Sequence, residues 1–479
     1  MGRAEGAKIQ WLFPCLLISF CAIYLIFYPP SYGIEDEGNI LQLSYSLSHG
    51  TIFPDRAGPY PGPSIDGHRV SKFSAFHAAM IAPLWKIDWR LGFGVAALFF
   101  VAGAFIVRNW LTRENLNADW SALYFLLFGS LYYTQTLLAA VPAAVAALFG
   151  VSLLLREEPR PMLAGLMFGA SVLMHPWMGP FAIVSAMVWL LENWRIDLIK
   201  RAGRLFAGAI VPILMLGSYN FATTGSPFRS VYTLLYLSFS GSHFLSYSSF
   251  YVASLTIFPL SGWVVFSPKW ARGWTLPVTS AAVVLLASLY YYRDGLNLSA
   301  SAVHSTMALI AGAIPGQRFL IPVSMVACVP AARFLDAQSE KMPSWVSRLA
   351  RPVALAAFIA GFAVMSTAHS SFLRAHATVQ KLLCETIPGN APVAISDGVL
   401  KETAPICQVF ESAVLTKDSA EPPAEAFIAW LGAPGQHAPD GWLKKRETKT
   451  FQIRSWIWSR DLTIGAPLSD SAQGNGPAG

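Results

Sequence analysis

The chain of 479 residues is 54% hydrophobic and 13% charged, against about 25% charged in an ordinary soluble domain. That balance excludes a disordered chain, a collagen-like repeat and a disulfide scaffold, and it argues against a soluble enzyme, because so many long apolar runs cannot share one water-bounded core. The net charge of +7 sits at the ends of apolar runs and not on one stripe, which points to a membrane protein and away from a nucleic-acid binder.

Eleven candidate spans follow one another: 11–29, 91–107, 119–137, 141–155, 161–174, 177–191, 205–221, 250–266, 275–292, 319–332 and 352–368, none containing Lys or Arg. Several are shorter than the roughly 20 residues a helix needs to cross, so their ends are expected to run into the loops. Arg3 and Lys8 precede the first span as in a signal peptide, but Tyr28-Pro29-Pro30 stands where a small-x-small cleavage site would be. The span therefore reads as an uncleaved anchor. Basic residues alternate between the connecting segments. Segments 1–10, 108–118, 156–160, 192–204, 267–274 and 333–351 hold 16 Lys and Arg in 66 residues; segments 30–90, 138–140, 175–176, 222–249 and 293–318 hold 8 in 120. The positive-inside rule then places the N-terminus in the cytoplasm, with loop 30–90, loops 222–249 and 293–318, and the tail outside.

The tail, 369–479, is polar and mixed. Ala391–Val399 reads as a strand entering a turn and Phe451–Trp458 as a second strand, so a small external α/β domain is expected, with a frayed end over 465–479. The fold class is thus an all-α polytopic membrane protein of about eleven transmembrane helices (1–368) followed by a small external α/β domain (369–479). Cys15, Cys21 and Cys328 fall in apolar spans as small core residues. Cys384 and Cys407 both fall in the external tail, where a disulfide between them could persist.

All nine histidines, His49, His68, His77, His175, His243, His304, His369, His376 and His437, fall on the external side. Longer external loops would collect them in any case, but histidine is also the commonest neutral-pH acid and base. The basic loops are too short for a nucleotide site, and no P-loop or strand–GxGxxG–helix unit occurs. An enzyme here would work at the external face, without ATP or nucleotide-sugars.

Ile34-Glu35-Asp36-Glu37-Gly38 follows the first span directly and leads into a helical run, Asn39–His49. Three carboxylates beside a bilayer are either a solvated loop end or a general base or metal-ligand set, since crowded like charges raise one another's pKa. Asp66-Gly67-His68-Arg69-Val70-Ser71-Lys72-Phe73 and His77 share this loop. Arg69 and Lys72, three apart, would share a face in a helical turn and could hold a phosphate, or simply attract anionic lipid. Arg318 lies within Gly312–Pro322 (GAIPGQRFLIP) at the external mouth of a span, where it could equally snorkel. Loop 222–249, with Arg229, reads as an amphipathic surface segment, and His175-Pro176-Trp177 as an outward-facing turn.

Together these segments resemble the GT-C superfamily of membrane glycosyltransferases, which use polyprenyl-phosphate sugars. Asp36-Glu37-Gly38-Asn39 with Leu43–Gly50 looks like that superfamily's acidic motif in the first external loop. Asp66–Pro83 is similar to a stretch of many bacterial members. Tyr219–Phe228 (YNFATTGSPF) and Gly316–Pro322 (GQRFLIP) are similar to segments of the branch that holds the aminoarabinose and mannosyl transferases. The resemblance implies an inverting transfer at the external face of a bacterial inner membrane, from a polyprenyl-phosphate sugar to an envelope glycan or lipid. It implies Asp36, with Glu37 beside it, as the catalytic carboxylates and Asp36 as the base. Lys72, Arg69 and Arg318 would hold the donor phosphate, and Glu35, His68, His77, His175 and Arg229 are candidate substrate contacts. No metal is required on this reading, although a divalent cation stays open because some relatives bind one.

The chain departs from the pattern where many members carry a second acid, between the third and fourth spans: the turn reads Thr134-Gln135-Thr136-Leu137. Before the Ala82-Pro83 stretch, Phe73–His77 replaces the glycine-rich sequence expected. Three other readings stay open. One is a lipid or sugar flippase, which should place ionisable groups near the bilayer midplane. A second is another lipid-linked envelope transferase or ligase using histidine as its base. The third is a scaffold whose tail binds a partner.

Overall fold

The computed structural model describes residues 11–33, 35–54, 64–65, 67–194, 197–231, 244–245, 248, 251–252, 255, 262–289, 318–339, 341, 343–387, 393–395, 427–432, 446–454 and 459–467. The chain divides into two compact units: 1–27 with 73–80 and 91–366, and 28–72 with 81–90 and 367–479.

The first unit is helical. Its main helices are α1 (Leu12–Ile26), α3 (Ala75–Ile81), α4 (Phe93–Arg113), α5 (Ala122–Phe125), α6 (Phe128–Tyr133), α7 (Ala140–Leu154), α8 (Pro161–Met174), α9 (Gly179–Glu192), α10 (Leu198–Thr224), α11 (Pro268–Ala271), α12 (Thr275–Leu289), α13 (Ile321–Ser339) and the first half of α14 (Ser344–Thr386). α2 (Glu35–Ser48) belongs to the second unit. Among the described residues, three helices are long and apolar enough to cross a membrane, Trp89–Arg113, Leu198–Thr224 and Leu349–Thr386. Leu12–Ile26, Ala140–Leu154, Pro161–Met174, Pro176–Glu192 and Thr275–Leu289 are shorter apolar helices. Most of the segment 250–266 lies outside the described residues.

Packing explains the helix fates. Every residue of α7 but Phe149 is buried, as expected of a helix apolar on all sides. It passes beside α8, whose Gly165 and Gly169 lie against α10. A Cβ on Gly165 would sit 1.9 Å from the Leu205 carbonyl oxygen, and one on Gly208 would sit 1.8 Å from that of Met162. The two backbones touch, as small residues allow in membrane helices. The other face of α10 turns Phe206, Val211, Leu214 and Met215 outward, and Gly225 ends the helix in the left-handed conformation, φ +71°.

The run 119–137, expected as one span, is broken. A 3-10 turn at Ala118–Ser121 is followed by α5 and α6, with Leu127 between them at ψ +74°. Aromatic packing overrides helix continuity here: Tyr124 packs on Phe100 at 4.6 Å and Phe125 on Phe358 at 5.6 Å, within a ring cluster that includes Phe20 and Phe362. At the end of α4, Glu114 accepts from Arg333 Nε and Nη2 (2.7 and 2.5 Å) and from the Trp110 indole (2.7 Å), while Arg333 Nη1 donates to the Trp270 carbonyl (2.6 Å). Burial works against the Glu114 charge, but Arg333, the Trp110 indole and Arg272 together outweigh it and hold the carboxyl below its ordinary pKa.

The second unit holds α2 (Glu35–Ser48), a small hairpin of β1 (Ser64–Ile65) and β2 (His68–Arg69), the 3-10 turn Ala82–Lys86, the C-terminal half of α14, and a four-stranded sheet. The hairpin turns at Gly67, φ +81°. Arg69 therefore ends a strand and Lys72 lies in the bend after it, so the shared helical face expected for that pair does not form. The sheet has the order β3 (Val393–Ile395), β4 (Phe427–Gly432), β6 (Ser459–Pro467), β5 (Arg446–Arg454), with β3–β4 parallel and the rest antiparallel. Leu462 and Ile464 of β6, Ile453 of β5 and Ala429 of β4 pack against Ala375, Val379 and Leu383 of α14. Of the strand expected over 391–399, 393–395 form β3, and 391–392 and 396–399 lie outside the described residues. The one expected over 451–458 begins earlier, at Arg446, and 455–458 lie outside the described residues. Residues 465–467, expected to fray, belong to β6, because its pairing with β5 runs to Arg446–Pro467.

Candidate functional site

The acidic motif opens α2. α1 ends at Ile26, ahead of Pro29 and Pro30, which could not continue it, and the chain bends at 30 and 31 on its way to the next helix. Glu35, Asp36 and Glu37 occupy the first turn of α2, where negative charge meets the positive end of the helix dipole. Glu37 Oε2 accepts the Gly33 amide at 2.8 Å, a reach-back of the capping-box kind, and Glu37 is only 2% exposed. One oxygen of Glu37 is thus given to the backbone. Beside it Tyr32 is buried, and its phenol is pushed up by that burial and by the Glu37 charge, so it stays protonated.

Asp36 points elsewhere. Its Oδ1 lies 2.6 Å from Lys72 Nζ, with the carboxylate 21% and the ammonium 12% exposed. The helix behind it is anchored by buried Ile40, Leu41 and Leu43, and by the Trp85 indole, which donates to Ser44 Oγ at 2.7 Å. His68 stacks on Phe53 with ring centres 4.6 Å apart. The Glu35 and Arg69 side chains and all of Asp66 lie outside the described residues. Of the predicted site residues, then, the structure brings together Asp36, Glu37 and Lys72, with His68 in the same unit.

The other candidates belong to the first unit. His77, expected as a substrate contact, is 2% exposed, and its Nε2 meets the Leu137 carbonyl at 2.7 Å. Burial pulls its pKa down to about 4, against the opposing effect of that carbonyl, so the ring is a neutral donor inside the helix packing. Leu137 closes the Thr134–Leu137 turn, and that turn is itself buried: Gln135 Nε2 donates to Ser366 Oγ at 2.8 Å. Arg318 lies over the Phe319 ring at 5.1 Å, and Phe319 packs on Trp177 at 4.8 Å. Two motifs far apart in sequence, the His175-Pro176-Trp177 turn and Gly316–Pro322, therefore meet through their aromatic rings. Arg229 is exposed just after α10, and most of loop 222–249 lies outside the described residues. Cys384 is disulfide-bonded; Cys407 lies outside the described residues, while Cys15, Cys21 and Cys328 are free. Among the described residues no group of three or more His, Cys, Asp or Glu could hold a metal.

Sequence reasoning missed Ser31, Gly33 and Gln380. Ser31 Oγ donates to Gln380 Oε1 at 2.7 Å across 349 positions, a pairing with no local signal. The role of Trp177 beside Arg318 was also invisible, because the ring that joins them is the neighbour of the arginine.

No family model and no curated protein matches the chain. Solved structures do. The crystal structure of ArnT from Cupriavidus metallidurans bound to undecaprenyl phosphate aligns at a TM-score of 0.56 and 11% identity, over 96% of this chain and 98% of that one. The apo form of the same protein aligns at 0.57 and 11%, over 95% and 97%. The apo oligosaccharyltransferase of Archaeoglobus fulgidus aligns at 0.45 and 13%, over 84% and 65%. Over 96% of its length the chain is similar in fold to ArnT.

Proposed function

We propose that the protein is a GT-C-type glycosyltransferase that moves a sugar from a polyprenyl-phosphate donor to an envelope glycan or lipid at the external face of a bacterial inner membrane. The observation that carries this reading is the Asp36–Lys72 pair at the start of α2, on a fold shared with a protein crystallised with undecaprenyl phosphate. On this reading the N-terminus is cytoplasmic, the helices of 1–368 make about eleven crossings, and 369–479 is an external α/β domain.

Asp36 is the base. Its carboxylate takes the proton of an acceptor hydroxyl, the oxygen attacks the anomeric carbon, and the bond from that carbon to the phosphate oxygen breaks. The electron pair leaves with polyprenyl phosphate, and the configuration inverts. Lys72 faces the leaving group as a point cation. In the resting protein it rests on Asp36; an arriving phosphate draws it away and leaves the carboxylate open to the acceptor. Glu37 holds the turn and does not share the proton. The places of Arg318 and Arg69 on the phosphate stand on the resemblance alone.

The test is release of free polyprenyl phosphate by purified protein in nanodiscs, offered a panel of polyprenyl-phosphate sugars with envelope lipids. Release by the wild type that falls at least a hundredfold in Asp36→Asn is expected. Equal release by both proteins removes Asp36 as base. No release from folded protein with any donor, together with sugar-lipid flux in proteoliposomes, replaces the transferase with a flippase.

A further inference from the structure

The tail sheet and the acidic turn are two sides of one helix. In the C-terminal half of α14, Ala375, Val379 and Leu383 recur every fourth residue and pack on Ala429, Ile453, Leu462 and Ile464 of the sheet. The adjoining stripe, Phe372, His376 and Gln380, has the same spacing. It meets the segment 31–33. Gln380 Oε1 accepts from Ser31 Oγ at 2.7 Å, and Ser31 is 1% exposed. At Gly33 the approach is so close that a Cβ would lie 2.7 Å from a Leu373 methyl and 2.8 Å from the Phe372 ring. The amide of that same Gly33 donates to buried Glu37. Glu37 and Asp36 are successive residues of one helical turn, so a shift of 31–33 off α14 carries the turn with it and changes where Asp36 meets Lys72.

We propose that the sheet-backed half of α14 is the seat of the acidic turn, and that Gln380 and Ser31 are positioning residues for Asp36. The inference rests on the reading of Asp36 as the base. It gives the tail a role: the sheet stiffens the far side of the helix against which the motif is set, although no tail residue need touch a substrate.

The experiment pairs a structural readout with a kinetic one in full-length protein in nanodiscs. Gln380→Leu removes the acceptor, Ser31→Ala removes the donor, and Gln380→Glu keeps an acceptor oxygen. Amide hydrogen exchange in peptides covering 31–40 is expected to rise about fivefold in Gln380→Leu and Ser31→Ala, the worth of about one hydrogen bond. Gln380→Glu should stay near wild type, as should peptides of α9. With the polyprenyl-phosphate sugar that the wild type turns over, kcat is expected to fall about tenfold in the first two variants. KM should stay within about twofold, and Gln380→Glu should restore the rate. Unchanged exchange over 31–40 overturns the seat, whether or not any donor is turned over. Raised exchange with an unchanged kcat in an active protein overturns the positioning role. A wild type that turns over no donor defeats the transferase reading instead, and the exchange data still decide the seat.

Discussion

Acid should loosen the fold through His77. Its ring is 2% exposed and its Nε2–H is spent on the Leu137 carbonyl at 2.7 Å, so the folded state holds the neutral imidazole, with a pKa drawn down to about 4. In the unfolded chain the ring returns to about 6.5. As pH falls, the unfolded state therefore takes up the proton first. The contribution of His77 is complete above about pH 6.5, shrinks through the window from 6.5 to 4, and levels off below it. A gap of about 2.5 units at 1.36 kcal/mol each limits the loss to about 3 kcal/mol, of which about 2 kcal/mol is already gone at pH 5. The assay is reversible unfolding in mixed micelles at pH 7 and pH 5, wild type against His77→Gln, which keeps an N–H for Leu137 but does not titrate. Other titrating groups are common to both proteins and cancel in the difference. The wild type should lose about 2 kcal/mol more than the variant on going from pH 7 to pH 5. Equal losses would refute the buried, neutral ring.

Gly208→Ala should destabilise the contact of α8 with α10 by about 2 kcal/mol, because its Cβ would meet the backbone oxygen of Met162, which has no rotamer to yield. Gly94→Ala, in α4 with nothing within 4 Å of the new methyl, should cost nothing and serves as the control in the same micelle unfolding assay. Lys72→Arg should keep the charge yet lower kcat about tenfold, since a guanidinium fork grips the Asp36 carboxylate bidentately and releases it less readily to an arriving phosphate; a kcat equal to wild type would argue against that exchange of partners.

Much of the helical frame was legible, because period and length speak directly where one apolar helix packs on others. Residues 140–154, 161–174 and 179–192 lie where the apolar runs place them. The run 119–137 misled because its apolar content is aromatic. Rings that seek separate partners, Tyr124 on Phe100 and Phe125 on Phe358, bend the backbone to suit themselves, and no sum of hydropathies records that. In the tail, β4 (FIAWLG) and β6 (SRDLTIGAP) went unread. The first is a continuous apolar run without alternation, and the second is charged at its start and ends in Pro467. The site was legible as composition and illegible as geometry. Three adjacent carboxylates look equivalent in sequence, but helix phase turns Glu37 back to an amide and Asp36 toward a lysine. Likewise nothing in Ser31 or Gln380 announces a bond across 349 positions.

Two carboxylate–cation pairs in this chain show how residue choice separates scaffold from chemistry. Glu114 is met by an arginine through two bonds, by an indole and by Arg272 at 3.2 Å. Such a planar fork fixes direction as well as distance, and removing either partner strands a charge in a buried place. A pair of that kind holds helices and can do little else. Asp36 is met by the ammonium of Lys72 at 2.6 Å, and both groups keep some contact with the outside. An ammonium on a four-carbon stem can pass from one oxygen to another at small angular cost. On the proposed reading of Asp36 as the base, a carboxylate shielded at rest and available during reaction is served by the second kind of partner. The rigidity such a site still requires then comes from what stands behind the carboxylate, which here is the Glu37–Gly33 bond, the glycine pressed against Phe372 and Leu373, and a helix braced by the tail sheet.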